Sequence, residues 1–519
     1  MTGPPLLLLA ACLLGSDPPA DFILPEPPGP HVQAAPAGGE AGFRSGEPLV
    51  ATTYFYWYDA PSGLHVIDHD RTDALTDHPP TLEGFSYKNP DWHAGELEDM
   101  IAAGIDVVMP VYWGTPLGDQ GWSDAGLPPL VAARRRLLSE GKHPPAIGMF
   151  YDTSTLEHNR RRWHVDLTGE AGRLWFYGTI RNFFSLVPPE DRALVDGKPL
   201  VFLYASAFAA EVDAALFPAV RPMFRRDFGS DLFLVKMRGW PGEADSEYSW
   251  GGAIAPILLD AAALGPGYDH SAVPGRAPLV RARDGGRFYE FAWQRLLTMD
   301  PKSRPWLVHL ETWNEFHEGT EICETAEYGR QYIELTRRFA DMFHAGRRLD
   351  PTEIRPSRPA VSVSPEKSAG LAIVAQPQGD GPVAEKRLSG RAAFSTEPNR
   401  FSPTTRYLYF DVEDYFLNDG DETVEVTVGY YDAGAASWRI DYDSADPALE
   451  GLKQQFRETA AQPIAGTGAW KEVRFLLPHA RFAGRSNGAD FRLAASGGEL
   501  AVSHVSIRRV SQRDHEKAK

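Results

Sequence analysis

Between residues 50 and 346 the chain alternates repeatedly between apolar runs of strand length and segments whose apolar residues recur every three or four positions. The strand candidates are Thr52 to Trp57, Ile105 to Tyr112, Ala146 to Tyr151, Leu200 to Tyr204, Leu232 to Met237, a poorly defined Tyr248 to Ala253, Ile257 to Leu264, and Trp306 to Glu311. Helix-period segments lie between most of them: one closing at Gly104, Leu130 to Leu138 before Gly141, Leu174 to Phe184, Leu216 to Phe228 before Gly229, Phe288 to Leu297, and a last one through Tyr328, Tyr332, Leu335, Phe339 and Met342. Eight strands alternating with helices predict an α/β domain closed as a (β/α)8 TIM barrel. No clear helix separates the sixth and seventh units. An open doubly wound sheet is the alternative, but it usually carries a Gly-rich phosphate loop after its first strand, and none is found here.

A barrel brings scattered residues together, because every strand delivers its last side chains to one rim. The strand ends carry Tyr56, Trp57, Tyr58 and Asp59; Tyr112 and Trp113; Tyr151 and Asp152; Tyr204; Lys236, Arg238 and Trp240; Trp250; and Tyr268 and Asp269. The eighth strand, WLVHL, opens into Glu311, Trp313, Asn314, Glu315, Phe316, His317 and Glu318, with Gly319 allowing a tight turn. A rim of aromatics and acids is what a sugar site needs: flat faces for the ring C–H groups, and carboxylates for hydroxyls and for chemistry. Each aromatic taken singly is as readily a core residue, so the signal is their coincidence at strand ends.

Composition narrows the partners. The net charge of −18 opposes nucleic acid and anionic membrane faces, whereas 13 Trp and 19 Tyr suit a carbohydrate. There is no HExxH, paired CxxC, GxSxG elbow or Walker loop. His65, His69, His78 and His93 have no zinc spacing, so neither metal nor cofactor is expected.

At 519 residues the chain predicts two domains with tails. Residues 1–15 read as a leader, with an apolar run from Leu6 to Gly15 of signal-peptide rather than membrane-spanning length. Leu9-Ala10-Ala11-Cys12 has the spelling of a lipobox, in which Cys12 is acylated; an ordinary leucine-rich leader is the equal alternative. Either version predicts export, to the periplasm, the cell surface or the medium, with membrane attachment only through a lipid anchor. Residues 16–49, rich in Pro, Gly and Ala, read as a flexible tether.

The segment Trp313-Asn314-Glu315-Phe316-His317-Glu318-Gly319-Thr320-Glu321-Ile322 resembles the (W/F)NEWxEGTxIE signature of glycoside hydrolase family 99, the endo-α-mannosidase group. YFYWYD near residue 54, Ala103 to Gly114, and Gly265 to Asp269 are similar to members of the same superfamily. The resemblance covers roughly residues 50 to 346. It implies a secreted (β/α)8 glycosidase acting with retention. In that group the first Glu of the motif deprotonates the substrate 2-hydroxyl, which attacks C1 to give a 1,2-anhydro sugar; the second protonates the leaving oxygen and then activates water. Carried over, Glu315 takes the first role and Glu318 the second. Phe316 stands where the group has Trp, and Ile322-Cys323-Glu324 departs from its usual ending, which leaves the sugar open.

Residues 347–365 form a Pro-rich linker, and 366–512 change to short alternating strands that predict an antiparallel β-sandwich, followed by a tail at 513–519. The sandwich is either a structural appendage or a carbohydrate-binding module; Tyr430, Tyr431, Trp438 and Trp470 are a platform in one case and core in the other. The acids near Asp411 lack an EF-hand pattern. Three functions follow: a glycoside hydrolase using Glu315 and Glu318, a non-catalytic glycan-binding surface lipoprotein, or a transferase. The paired carboxylates favour the first.

Overall fold

A computed structural model describes residues 17–34, 42–275, 279–350, 359–376, 379–402, 404–414, 416–418 and 420–510. The leader, Cys12 and the tail lie outside the described residues. The chain divides into two compact units, Met1–Glu353 and Ile354–Lys519.

The first unit is a mixed α/β structure built on parallel strands: β1 (Leu49–Tyr54), β2 (Val107–Tyr112), β3 (Met149–Tyr151), β4 (Lys198–Leu203), β5 (Phe233–Met237), β6 (Ser246–Tyr248), β7 (Ala261–Leu264) and β8 (Leu307–Leu310). Ladders join β1 to β2, β2 to β3, β3 to β4, β4 to β5 and β5 to β6, while β7 joins β8 and β8 returns to β1. Between β6 and β7, among the described residues, no ladder runs. β1 and β2 are buried along their whole length, as parallel strands covered on both faces must be.

The helices follow α1 (Pro90–Ala103), α2 (Leu127–Ser139), α3 (Glu170–Leu186), α4 (Leu216–Phe228), α5 (Arg287–Thr298) and α6 (Gln331–His344). α1 shows why the sequence folds so. The Asn89 side chain accepts from Asp91 N at 3.0 Å, Pro90 opens the first turn, Ala94, Leu97, Met100 and Ala103 bury one stripe, and Gly104 closes the helix at φ 78°. Among the described residues no helix lies between β5 and β7. The predicted seventh strand is a hairpin: Ile257–Leu258 pairs antiparallel with Ala262–Ala263, the chain reversing between them.

The described parts of the stretch read as a tether, 17–34 and 42–49, are instead seated on this unit. Phe22 packs on the rings of Trp175 and Trp163 at 5.7 and 6.3 Å, and Gly29 N and His31 N donate to the Ser185 hydroxyl and carbonyl, each at 3.0 Å. Buried Arg192 donates to the carbonyls of His31 and Gln33 at 2.6 and 2.9 Å, and to those of Phe184 and Val187 at 2.9 and 3.0 Å. Gly42–Phe43 pairs in parallel with Leu194–Val195. A Pro-rich chain in extended form has free carbonyls, and an arginine fork collects them.

The second unit is two antiparallel sheets sharing one core, in which Val426, Trp438, Ile440, Phe491 and Val505 are buried. Trp438 and Tyr430, 1% and 3% exposed, belong to that core and form no platform. Tyr431 and Trp470 stay half-buried, their rings 5.2 Å apart.

Candidate active site

The segment leaving β8 is pinned to the segment leaving β1. Trp313 N donates to Thr53 O at 2.8 Å, and the Asn314 amide accepts from Phe55 N at 2.8 Å while donating to Phe55 O at 3.0 Å. The Tyr58 hydroxyl donates to Asn314 O and accepts from Phe316 N, both at 3.1 Å. The loop then closes on itself: Thr312 N donates to Thr320 O at 2.9 Å, Glu315 N to the Thr312 hydroxyl at 2.9 Å, and Ile322 N to Trp313 O at 3.0 Å. Gly319 makes the reversal at φ 54°. Below the loop, Arg283 pairs with Glu321 and Asp77 between the rings of Tyr328 and Tyr332. A fixed loop holds its carboxylates in fixed directions, which is what positioned chemistry requires.

These elements surround a cavity of about 470 Å3 that Glu315 and Glu318 both line. Its walls are aromatic, formed by Phe55, Trp57, Trp113, Phe150, Tyr204, Phe208 and Trp250, with Asp68, Asp152, His65 and His317 supplying further polar groups. Trp57 lies between Trp113 and His65, nearly parallel to both at 4.6 and 4.4 Å. Both of its faces are covered, so it offers an occupant an edge rather than a platform. Trp250 stands edge-on to Tyr204 at 5.5 Å.

The charges are set by burial and by one imidazole. His317 Nδ1 lies 2.8 Å from Glu315 Oε1, which also accepts His317 N at 3.0 Å. Burial pushes the Glu315 carboxyl up, and His317 opposes that rise. Burial disfavours the His317 imidazolium, but the Glu315 carboxylate outweighs it and the ring's pKa is raised. His65 has no such partner, and burial lowers it to about 4. Asp152 is raised by burial against the donors of Ser154. Among the described residues no group of three or more His, Cys, Asp and Glu is placed to hold a metal ion.

Of the residues expected at the rim, Trp57, Trp113, Asp152, Tyr204, Trp250, Glu315 and Glu318 line this cavity, and Glu311 and Tyr268 line a smaller adjoining one. The others do not reach it. Tyr56 turns away to donate to Ser123 O at 2.7 Å, and Tyr112 donates to Asp124 at 2.6 Å. Tyr58, Tyr151, Trp313 and Asn314 are buried behind the wall. Along the chain after β1 the period of two sends Phe55 and Trp57 inward to the cavity and Tyr54, Tyr56 and Tyr58 into packing. Asp59 pairs with Lys88 at 2.8 Å, Arg238 lies exposed beside Glu247, and Asp269 caps Ser271 N at 2.8 Å. His65 and Asp68, which the strand-end argument passes over, come from the long connection between β1 and α1. That connection is tied down by Thr76, whose N donates to Phe316 O and whose hydroxyl donates to His317 O, both at 2.8 Å. Its length was the available signal.

Comparison with known proteins gives these likenesses. Glycoprotein endo-alpha-1,2-mannosidase-like proteins of Mus musculus and Homo sapiens are 35% and 37% identical to the chain over 101 residues, 17% of this chain in both cases. The match spans about a fifth of those relatives' length, 22% and 21%. The GH99 endo-alpha-mannosidase from Bacteroides thetaiotaomicron aligns at 17% identity over 58% of this chain and 98% of its own, with a TM-score of 0.43. The chain thus resembles the endo-α-mannosidase group. The profile of the family described as Domain of unknown function (DUF5010) matches residues 33–354, more than half of the chain, and the protein belongs to that family.

Proposed function

We propose that the protein is an exported glycoside hydrolase that retains anomeric configuration, and that its parallel strands close as an eight-stranded barrel. The observation that carries the reading is the presence of Glu315 and Glu318 in one aromatic-walled cavity. Glu315, oriented by His317, takes the proton of the substrate 2-hydroxyl as the oxygen attacks C1. Glu318 gives its proton to the departing glycosidic oxygen. The resulting 1,2-anhydro ring opens when Glu318 removes a proton from water that attacks C1, while Glu315 returns its proton to O2. The aromatic walls exclude water and strengthen each of these charge interactions.

The test is the difference between the two glutamines. Glu318→Gln regains turnover on dinitrophenyl glycosides, whose leaving group needs no proton, and Glu315→Gln does not. A 2-deoxy substrate fails with the intact protein. Normal turnover of a 2-fluoro substrate through a glycosyl ester on another carboxylate would sink this mechanism. Export is tested by fractionation, with palmitate labelling lost in Cys12→Ala as the mark of the lipoprotein version; full-length chain retained in the cytosol rejects both versions.

A further inference from the structure

The loop that carries the two acids is anchored by two different sets of groups. Its first half hangs on the chain just after β1, where the Asn314 amide exchanges two hydrogen bonds with Phe55 and the Tyr58 hydroxyl bridges Asn314 O and Phe316 N. Its second half hangs largely on one side chain. Arg283, 7% exposed, donates from Nη1 to Glu321 O at 2.8 Å and from Nη2 to Gly319 O at 3.1 Å. The same Nη2 pairs with the Glu321 carboxylate and, at 3.4 Å, with Asp77 Oδ2. Asp269 N, from the segment after β7, adds a bond to Glu318 O at 2.8 Å. The carbonyls at 318, 319 and 321 are thus fixed, and with them the direction in which Glu318 leaves the backbone. Thr312 is the joint between the halves, its hydroxyl accepting Glu315 N at 2.9 Å and meeting the Thr320 hydroxyl at 3.1 Å.

The seat of Arg283 is built for a guanidinium. The rings of Tyr328 and Tyr332 lie 4.5 and 4.6 Å from its centre. Gly267, at φ 141°, leaves room for its stem, since a Cβ there would lie 2.7 Å from Arg283 Cγ and 2.8 Å from Arg281 O. Burial works against the charge of Arg283, and the carboxylates of Glu321 and Asp77 outweigh it. A planar fork serves carbonyls and carboxylates at once, which a single ammonium cannot reproduce. Asp77 lies on the connection between β1 and α1 that also brings His65 and Asp68 to the cavity, so the guanidinium ties the Glu318 turn to that wall as well.

Resting on the glycosidase reading of the main cavity, we infer that Arg283 is the positioning residue of the proton donor: it fixes the turn from which Glu318 reaches the cavity, while Tyr58 fixes the half that carries Glu315. The supports of the two acids can therefore be removed separately. A displaced donor costs most where the leaving oxygen needs its proton and least where it does not.

The full-length protein is assayed on α-1,3-linked mannotriose and on the dinitrophenyl glycoside of α-1,3-mannobiose, in which the attacking 2-hydroxyl is free and the leaving groups differ in their need for a proton. Arg283→Lys, which keeps the charge and loses the fork, is expected to lower kcat/KM on the trisaccharide by at least about 30-fold and on the dinitrophenyl glycoside by no more than about threefold. Tyr58→Phe lowers both by the same factor, because the 2-hydroxyl must be activated whatever leaves. Equal losses on the two substrates in Arg283→Lys overturn the assignment. Melting curves and amide hydrogen exchange are read beside the rates: exchange at 318–322 rises in Arg283→Lys and stays at the native level at 53–58. If Arg283→Lys does not fold, Arg283→Gln combined with Glu321→Gln, which removes the cation together with a counter-charge, takes its place. Unaltered exchange at 318–322 in a folded variant overturns the inference whatever the rates do. Raised exchange there, with neither glycoside cleaved by the native protein, leaves the anchoring standing and fells the glycosidase reading; cleavage of both with an unchanged ratio of rates in the variant does the reverse.

Discussion

Glu311 and Glu315 leave the same strand four residues apart, are 1% and 4% exposed, and live in different electrostatic worlds. The smaller cavity compensates Glu311 with backbone dipoles, and its carboxyl climbs to about 8. The main cavity compensates Glu315 with a titratable ring at 2.8 Å, which can carry a full positive charge. Equal burial therefore does not mean equal electrostatics: burial raises both carboxyls, and an imidazole opposes the rise at Glu315 where backbone N–H groups oppose it at Glu311.

The sharpest way to break this comparison is to neutralise each acid in turn. Glu315→Gln and Glu318→Gln are expected to lower kcat/KM by roughly 10²–10⁴-fold with melting temperature retained, whereas Glu311→Gln, outside the main cavity, retains turnover within about tenfold. Steady-state rates on one substrate decide it, and equal losses at all three positions would erase the distinction.

The second test reads stability against pH. Glu311 binds its proton more tightly in the folded chain than its ordinary value of 4.5 allows. The stability this contributes is complete below about pH 4.5, falls as pH rises through about 8, and is level above it. At roughly 1.4 kcal/mol per pKa unit, the fall amounts to a few kcal/mol. Denaturant midpoints at pH 5 and pH 8.5 should converge in Glu311→Gln; an unchanged difference would mean that Glu311 is charged at neutral pH.

A smaller effect belongs to His317. Replacing it with Phe removes the ring that opposes the burial-driven rise of the Glu315 carboxyl, so the acidic limb of the rate profile moves to higher pH. His317→Asn, still able to donate, should recover part of the rate but not the original limb. No movement of the limb in either variant would leave the ring a packing residue.

The smallest expected effect is at Arg238, exposed beside Glu247 and away from both cavities. Arg238→Ala should alter stability by no more than about 0.5 kcal/mol and leave kcat/KM unchanged. A clear loss of activity would place substrate across that surface.

How far the sequence was readable is visible in these same residues. Periodicity located most of the strands, because burial on both faces forces continuous apolar runs, but it set the sixth at Tyr248 to Ala253 where the strand is Ser246–Tyr248 and ran the two arms of a hairpin into the seventh; the ends of α1 and α4 were legible from Gly104 and Gly229. It could not say which strand-end aromatics face inward. Tyr56 and Tyr112 are drawn aside by Ser123 and Asp124, partners from a connection whose position no local pattern reveals. His65 was missed for a related reason, since it enters the cavity from an irregular connection with no period to read and only its length as a signal. The seat of Arg283 was equally hidden, because it depends on Gly267 letting a side chain lie against backbone, and composition records glycines without recording what they adjoin.

The seating of residues 17–34 sets a rule for anyone shortening this protein. Cutting at Leu49, where the strand pattern begins, would remove two of the four carbonyls held by Arg192 and strip Phe22 from Trp163 and Trp175. It would leave an arginine with vacant donors in an aromatic pocket made by Phe184 and Phe228. The natural minimum of the domain thus starts more than thirty residues before β1, and a preparation trimmed to the periodic part begins life with a wound in its side.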